Sequence, residues 1–170
     1  MDSSTKRVID GLQKAMQAEN EGRHFYLMAA GNTKDPQGQE IFENLAEEEL
    51  SHFHYLQAQY KSMVKTGKVD SSVKLGKSKA LTGSHPIFSE AIKDRINQAH
   101  YEMTALSIGA QLEQSAVMFY SAEAEAATDP AVAAFYKELA EWERGHLKAL
   151  QDQMEVLRED YWSQGGFSPF

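Results

Sequence analysis

The sequence predicts an all-α protein, a four-helix bundle of two repeated helical hairpins joined by a long crossover. Three observations predict it. Long stretches rich in Ala, Glu, Leu, Gln, Met and Lys, all good helix formers, run between only four prolines at 36, 86, 130 and 169. No run shows the sustained apolar–polar alternation of a strand bounded by turn residues. A shift of 94 residues lays the second half of the chain on the first without a gap. The 170 residues suffice to bury a substantial core and are read as one domain, 1–170.

The first helix is expected from about Thr5 to Ala30, ended by Gly31-Asn32. The second starts after Asp35-Pro36 and runs to about Thr66. The third covers roughly Gln98 to Ala127, and the fourth starts at Asp129-Pro130 and runs to about Asp160. Both Asp-Pro pairs suit a helix start. The Asp carboxylate can accept from an otherwise orphaned N–H, and the proline sits in the first turn, where no N–H is needed. A short helix, Ile87 to Ile96, precedes the third, and the tail 165–170 is irregular.

Residues 64–86 form the linker, with five Lys against one Asp. That balance fits a solvated crossover better than a docking patch for an acidic partner. About 23 residues span up to ~75 Å when extended, beyond the ~40 Å of a 27-residue helix. The second and third helices can therefore run parallel, as in bundles with one long connection.

The repeat points at a site. Identical pairs include Glu19/Glu113, Tyr26/Tyr120, Asp35/Asp129, Glu49/Glu143, His52/His146 and Leu56/Leu150. Repeated Leu and Ala are simply core; the polar matches at core-facing spacing are informative. On the second helix the inward stripe reads Phe42, Leu45, Glu49, His52, Leu56, and on the fourth Phe135, Leu139, Glu143, His146, Leu150. Steps of three and four residues keep such a stripe on the bundle seam. A carboxylate and an imidazole thus replace apolar residues at the seam's centre, twice. On the first helix Glu19 shares its face with Ile9, Leu12 and Met16; on the third, Glu113 follows Leu106.

Burying unpaired charge is costly, so these residues need a partner. One Glu from each of two helices, with Glu-x-x-His from each of the other two, is the ligand pattern of carboxylate-bridged two-metal bundles. Glu19, Glu49, His52, Glu113, Glu143 and His146 are therefore the candidate metal ligands. The i, i+3 spacing puts Glu and His on one helix face. Two of the Glu can bridge the ions, while each ion keeps one His and one terminal Glu. Four carboxylates balance two divalent cations, and two ferric ions with one bridging oxide also come to neutral. Oxygen and imidazole donors suit iron or manganese, and zinc can also bind. The alternative is a metal-free bundle with buried Glu–His hydrogen bonds.

A third Glu-x-x-His, Glu21 to His24, is discounted because its repeat mates are Ser115 and Met118. Tyr26 and Tyr120 can either hydrogen-bond the ligand Glu from outside the metal shell or serve as core aromatics. Glu47 and Glu141 lie about 200° round the helix from the ligand Glu and are read as outward. Glu48, whose mate is Trp142, is read as surface. His54, His85 and His100 have no partner pattern. Met16, Met28, Met103 and Met118 are read as core packing.

Composition excludes several classes. With no cysteine, thiolate zinc, disulfides, cysteine nucleophiles and iron–sulfur centres are out. A net charge of −8 argues against nucleic acid. No stretch approaches a membrane span, and the first residues lack the apolar core of a secretory signal. A cytoplasmic address is expected.

These motifs resemble the rubrerythrin family within the ferritin-like superfamily. They are Glu19 with Tyr26, the run Leu45 to His52, Glu113 with Tyr120, and the run Leu139 to His146. The resemblance covers residues 5–160. It implies two iron ions that react with hydrogen peroxide or dioxygen, and commonly a homodimer. Rubrerythrins carry a further Glu three residues after the third helix's ligand, which can replace a His on one iron upon oxidation; here that position is Ala116. They also carry a cysteine-bearing rubredoxin-like domain that delivers electrons. The chain thus resembles a stand-alone di-iron domain, with peroxide as the expected substrate and electrons from a separate donor protein. Ferroxidase activity, or non-catalytic iron binding linked to storage, is the alternative. With Ala116 and Gly22 as repeat mates, the two halves offer each ion the same set, and the site is expected to be near-symmetric.

Overall fold

A computed structural model describes residues 3–76, 87–94 and 99–165. Four long helices and one short one follow in order: α1 (Ser3–Asn32), α2 (Pro36–Thr66), α3 (Ala91–Asp94), α4 (His100–Ala126) and α5 (Pro130–Gly165). The all-α four-helix bundle is as the sequence predicts. The start of the third helix at Gln98, residues 95 and 96 of the short one, His85 and most of the tail lie outside the described residues.

Local chemistry sets the helix ends. Asp35 sits in extended backbone and accepts from the Gly38 N–H at 2.9 Å, with Pro36 in the first turn of α2. Asp129 does the same for α5 through the Ala131 N–H at 2.8 Å. The α2 helix stops at Gly67, whose left-handed φ of 72° lets its N–H return to the Met63 carbonyl. The α1 helix continues through Gly31 and Asn32, two residues past its expected end. The Asn32 side chain folds back onto the Met28 carbonyl at 2.8 Å, and the Thr33 N–H still reaches the Ala29 carbonyl at 3.0 Å.

Cross-chain pairs fix the topology. Tyr26 meets Glu113 and Glu19 meets Tyr120, so α1 and α4 are antiparallel. Glu48 meets His146 and Tyr55 meets Glu138, so α2 and α5 are antiparallel too. Each hairpin is itself antiparallel, with Gln13 beside Tyr60 in the first. It follows that α2 and α4 run parallel and the crossover traverses the bundle's length.

A pair of repeat-related glutamines, Gln59 and Gln153, ties down both ends of that crossover. Buried Gln59 exchanges two hydrogen bonds with the Asp70 backbone, at 2.8 and 2.9 Å. Buried Gln153 accepts from the Ile87 N–H at 2.6 Å. Asp35 also receives the Ser89 N–H at 3.1 Å, so one carboxylate caps α2 and holds the returning chain. Phe88 then lies so close to α2 that a Cβ on Gly38 would come within 2.4 Å of its ring.

Two apolar plugs fill the bundle. One gathers Tyr26, Phe42, Leu45, Leu106 and Leu150, with Ile87 and Phe88 from the crossover. The other gathers Leu12, Leu56, Tyr120, Phe135 and Leu139. Full burial of each such Leu or Phe is worth about 1.5–3 kcal/mol. Met16 and Met103 pack against these plugs, but Met28 and Met118 do not; they are 53% and 64% exposed. Each lies two residues, about 200° of helix, from the inward Tyr26 or Tyr120, which turns it to the opposite face. Among the described residues, no helix is long and apolar enough to cross a membrane.

Candidate metal centre

Between the two plugs the bundle holds six buried carboxylate and imidazole residues: Glu19, Glu49, His52, Glu113, Glu143 and His146. The structure therefore gathers all six residues read as candidate ligands. Atoms of Glu49, Glu113, Glu143 and His146 all lie within 4.8 Å of one another, and so do atoms of Glu19, Glu49 and His52. Glu49 belongs to both groups. Glu143 also faces both, since its Oε1 lies 2.9 Å from His52 Nδ1 and its Oε2 lies 3.3 Å from His146 Nδ1. The two imidazole rings stand nearly parallel, 18° apart with centroids 5.8 Å apart.

A cluster of this kind repels itself unless protons or cations intervene. Burial pushes the Glu49 carboxyl well up, and Glu19, Glu143 and Glu113 push it further. Burial and then Glu143 raise Glu113, against His146 and the Tyr26 hydroxyl. Glu143 goes the other way. Burial raises it, but His52 and His146 together outweigh that and hold it well below the usual carboxylate range. Burial disfavours imidazolium in turn, yet the carboxylates outweigh it. His52 is raised well above its ordinary value, chiefly by Glu143. His146 rises to about 10, through Glu143 and Glu48.

These residues fit a pair of metal ions. Among the described residues, Glu49 Oε1, both Glu143 oxygens and His146 Nδ1 are buried side-chain atoms without a hydrogen-bond partner. All four can present lone pairs to the same centre, and two divalent cations would satisfy them where protons now must. Buried polar atoms in native proteins are normally paired, so such a concentration calls for a partner.

Tyr26 and Tyr120 close the ends of the site. The Tyr26 hydroxyl donates to Glu113 Oε1, and the Tyr120 hydroxyl donates to Glu19 Oε1. Each tyrosine thus serves the carboxylate of the opposite half. Burial, then Glu113 for Tyr26 and Glu19 for Tyr120, raises both phenols well above their ordinary value, so both remain donors.

Sequence reasoning missed Glu48. It is buried rather than on the surface, and its Oε2 lies 2.7 Å from His146 Nε2. The signal was present: Glu48 precedes His52 by four residues, which places it on nearly the same face. Its repeat mate Trp142 stands in the matching place, packed edge-to-face on His52 at 5.3 Å between centroids. The expected symmetry holds for the inner residues and fails in the layer behind them. The remaining readings fall on the surface: Glu47, Glu141, Glu21, His24, His54 and His100 are all exposed.

A cavity of about 330 Å³ opens between α1 and α4 onto Glu19, Glu49 and Glu113. Gly22 and Ala116, repeat mates, line it. A Cβ on Gly22 would sit 3.2 Å from Glu49 Oε2, so only the smallest side chain leaves that carboxylate undisturbed.

The family model described as Rubrerythrin matches residues 10–154 of the chain. No curated protein and no solved structure matches it.

Proposed function

Because the chain belongs to the rubrerythrin family, we propose that it is a non-haem di-iron oxidoreductase that reduces hydrogen peroxide, with electrons returned by a separate donor protein. The observation that carries the reading is the buried cluster with its unpartnered oxygens and nitrogen at the centre. Glu49 and Glu143 face both positions, and with Glu19, Glu113, His52 and His146 they would hold the two ions. Two ferrous ions held there would supply the two electrons that, with two protons, convert peroxide to two waters.

The chain's own residues prepare that chemistry. Tyr26 and Tyr120 hold the Glu113 and Glu19 carboxylates in place. Gly22 and Ala116 keep the cavity open beside Glu49, wide enough for peroxide and the water it becomes. The plugs on either side exclude bulk water from the rest of the site. Without a cysteine in the chain, re-reduction falls to another protein.

Two measurements test the reading. Protein reconstituted with Fe(II) is expected to hold close to two irons per chain, and Glu49→Ala and His146→Ala to hold less. A wild-type content of zero or one contradicts the site assignment. In stopped-flow mixing, the reduced protein is expected to oxidise faster with hydrogen peroxide than with dioxygen. Equal or reversed rates would point instead to a ferroxidase, which consumes free Fe(II).

A further inference from the structure

The repeat breaks at one pair of positions that touches the centre. Behind His146 stands a carboxylate, Glu48, at 2.7 Å from Nε2. Behind His52 stands an indole, Trp142, packed on the ring. An indole N–H donates and cannot accept a hydrogen bond. His52 Nε2 is accordingly buried with no hydrogen-bond partner among the described residues.

The consequences differ for the two imidazoles. With Nε2–H donated to Glu48, the His146 lone pair is fixed on Nδ1. That atom faces Glu143 at 3.3 Å and Glu49 and Glu113 at 3.8 Å each. The carboxylate also makes the ring a stronger donor, since it disperses the charge that metal binding places on the imidazole. His52 presents Nδ1 to the same centre, 3.2 Å from Glu19 and 2.9 Å from Glu143. Among the described residues no hydrogen bond holds its far nitrogen, so its tautomer is not fixed from behind.

We propose that Glu48 is a positioning residue which, with Trp142 in the matching place, makes the two metal positions unequal: the ion beside His146 is the tightly held one, and the ion beside His52 is the exchangeable one. This rests on the metal-site reading above. Losing an outer carboxylate behind a metal-bound His typically costs 10–100-fold in affinity, so the two dissociation constants are expected to differ by about that factor.

The test is a titration of the metal-free full chain with Co(II), followed by the visible absorption of the bound ion and by calorimetry. Wild type is expected to fill in two resolved steps. Glu48→Gln keeps the size and a carbonyl acceptor but loses the charge, and is expected to weaken the first step about 10-fold and leave the second in place. Trp142→Glu supplies His52 with the missing carboxylate and is expected to tighten the second step and leave the first. A merely structural role for either residue would move both steps together or neither. Because one variant weakens and the other tightens, loss of folding in one cannot imitate both results. Two equal steps in wild type, or a gap unchanged in both variants, overturns the inequality while leaving the metal site standing. Binding of no cobalt overturns the metal site itself, and the inequality with it.

Discussion

At the scale of single residues, the groups around the centre take partners from another helix: Tyr26 serves Glu113, Tyr120 serves Glu19 and Glu48 serves His146. The tyrosines show what one such partner is worth. Tyr26→Phe removes a hydroxyl from a fully enclosed carboxyl group, and leaving a buried acceptor unsatisfied costs about 1–3 kcal/mol. Denaturant unfolding of metal-free Tyr26→Phe and Tyr120→Phe is expected to show losses of that order. Equal stability to wild type would mean that the carboxylates find other donors. The cavity offers a second residue-scale test. Ala116→Phe would fill the space beside Glu113, so peroxide oxidation is expected to slow at least ~10-fold, by analogy with misplacement costs near reacting groups, while metal content stays unchanged. Loss of metal instead would show that the position shapes the site and not its access. The ligand candidates were legible in the sequence because carboxylate and imidazole at seam spacing, repeated 94 residues apart, have no apolar reason to be there. Glu48 was hidden by its neighbours. It sits in a run of three Glu, and its mate is an aromatic, so the repeat that exposed the others concealed this one.

At the scale of elements, helix starts were readable and helix partners were not. Asp35-Pro36 and Asp129-Pro130 announce α2 and α5 because capping is local chemistry within one turn. Gly31-Asn32 looks like a stop, yet the Thr33 N–H still bonds the Ala29 carbonyl and the Asn32 side chain folds back on the Met28 carbonyl, so α1 runs two residues further. Gln59 and Gln153 are repeat mates too, yet nothing local says that one holds Asp70 and the other Ile87. Those contacts exist only after the crossover has folded back. They make a graded prediction. Gln153→Ala strands the Ile87 N–H in a buried place, which costs about 1–3 kcal/mol. Asp35→Ala removes a helix cap, typically about 1 kcal/mol, and with it the bonds to Ser89. Both variants are expected to unfold at lower denaturant, Asp35→Ala by at least as much as Gln153→Ala. An unchanged midpoint for either would show that the crossover is anchored elsewhere.

At the scale of the whole molecule, the bundle places an acidic, self-repelling cluster between two apolar plugs, and that layout must be stabilised by protons or by cations. Burial and mutual repulsion keep protons on Glu49 and Glu113, and both imidazoles are biased toward their charged form. The metal-free chain therefore folds with protons in the places where ions would bind. An ion that binds only the folded form adds RT ln(1 + [L]/Kd), about 2.7 kcal/mol at a hundredfold excess over Kd. For a chain of 170 residues, each kcal/mol moves the midpoint of thermal unfolding by roughly 2–4 °C. Two ions are expected to raise it by roughly 10–20 °C, and a chelator to reverse the rise. The sign of the pH dependence follows from the same protons. Ion binding must displace them, so metal affinity, and with it the thermal gain, is expected to grow as pH rises from 5 to 8. A bundle built to stand without metal behaves differently: its Glu–His hydrogen bonds would already satisfy the cluster, and added Fe(II), Mn(II) or Zn(II) would leave the unfolding midpoint where it was at every pH. Differential scanning calorimetry of the stripped protein, with and without each ion and at several pH values, separates the two.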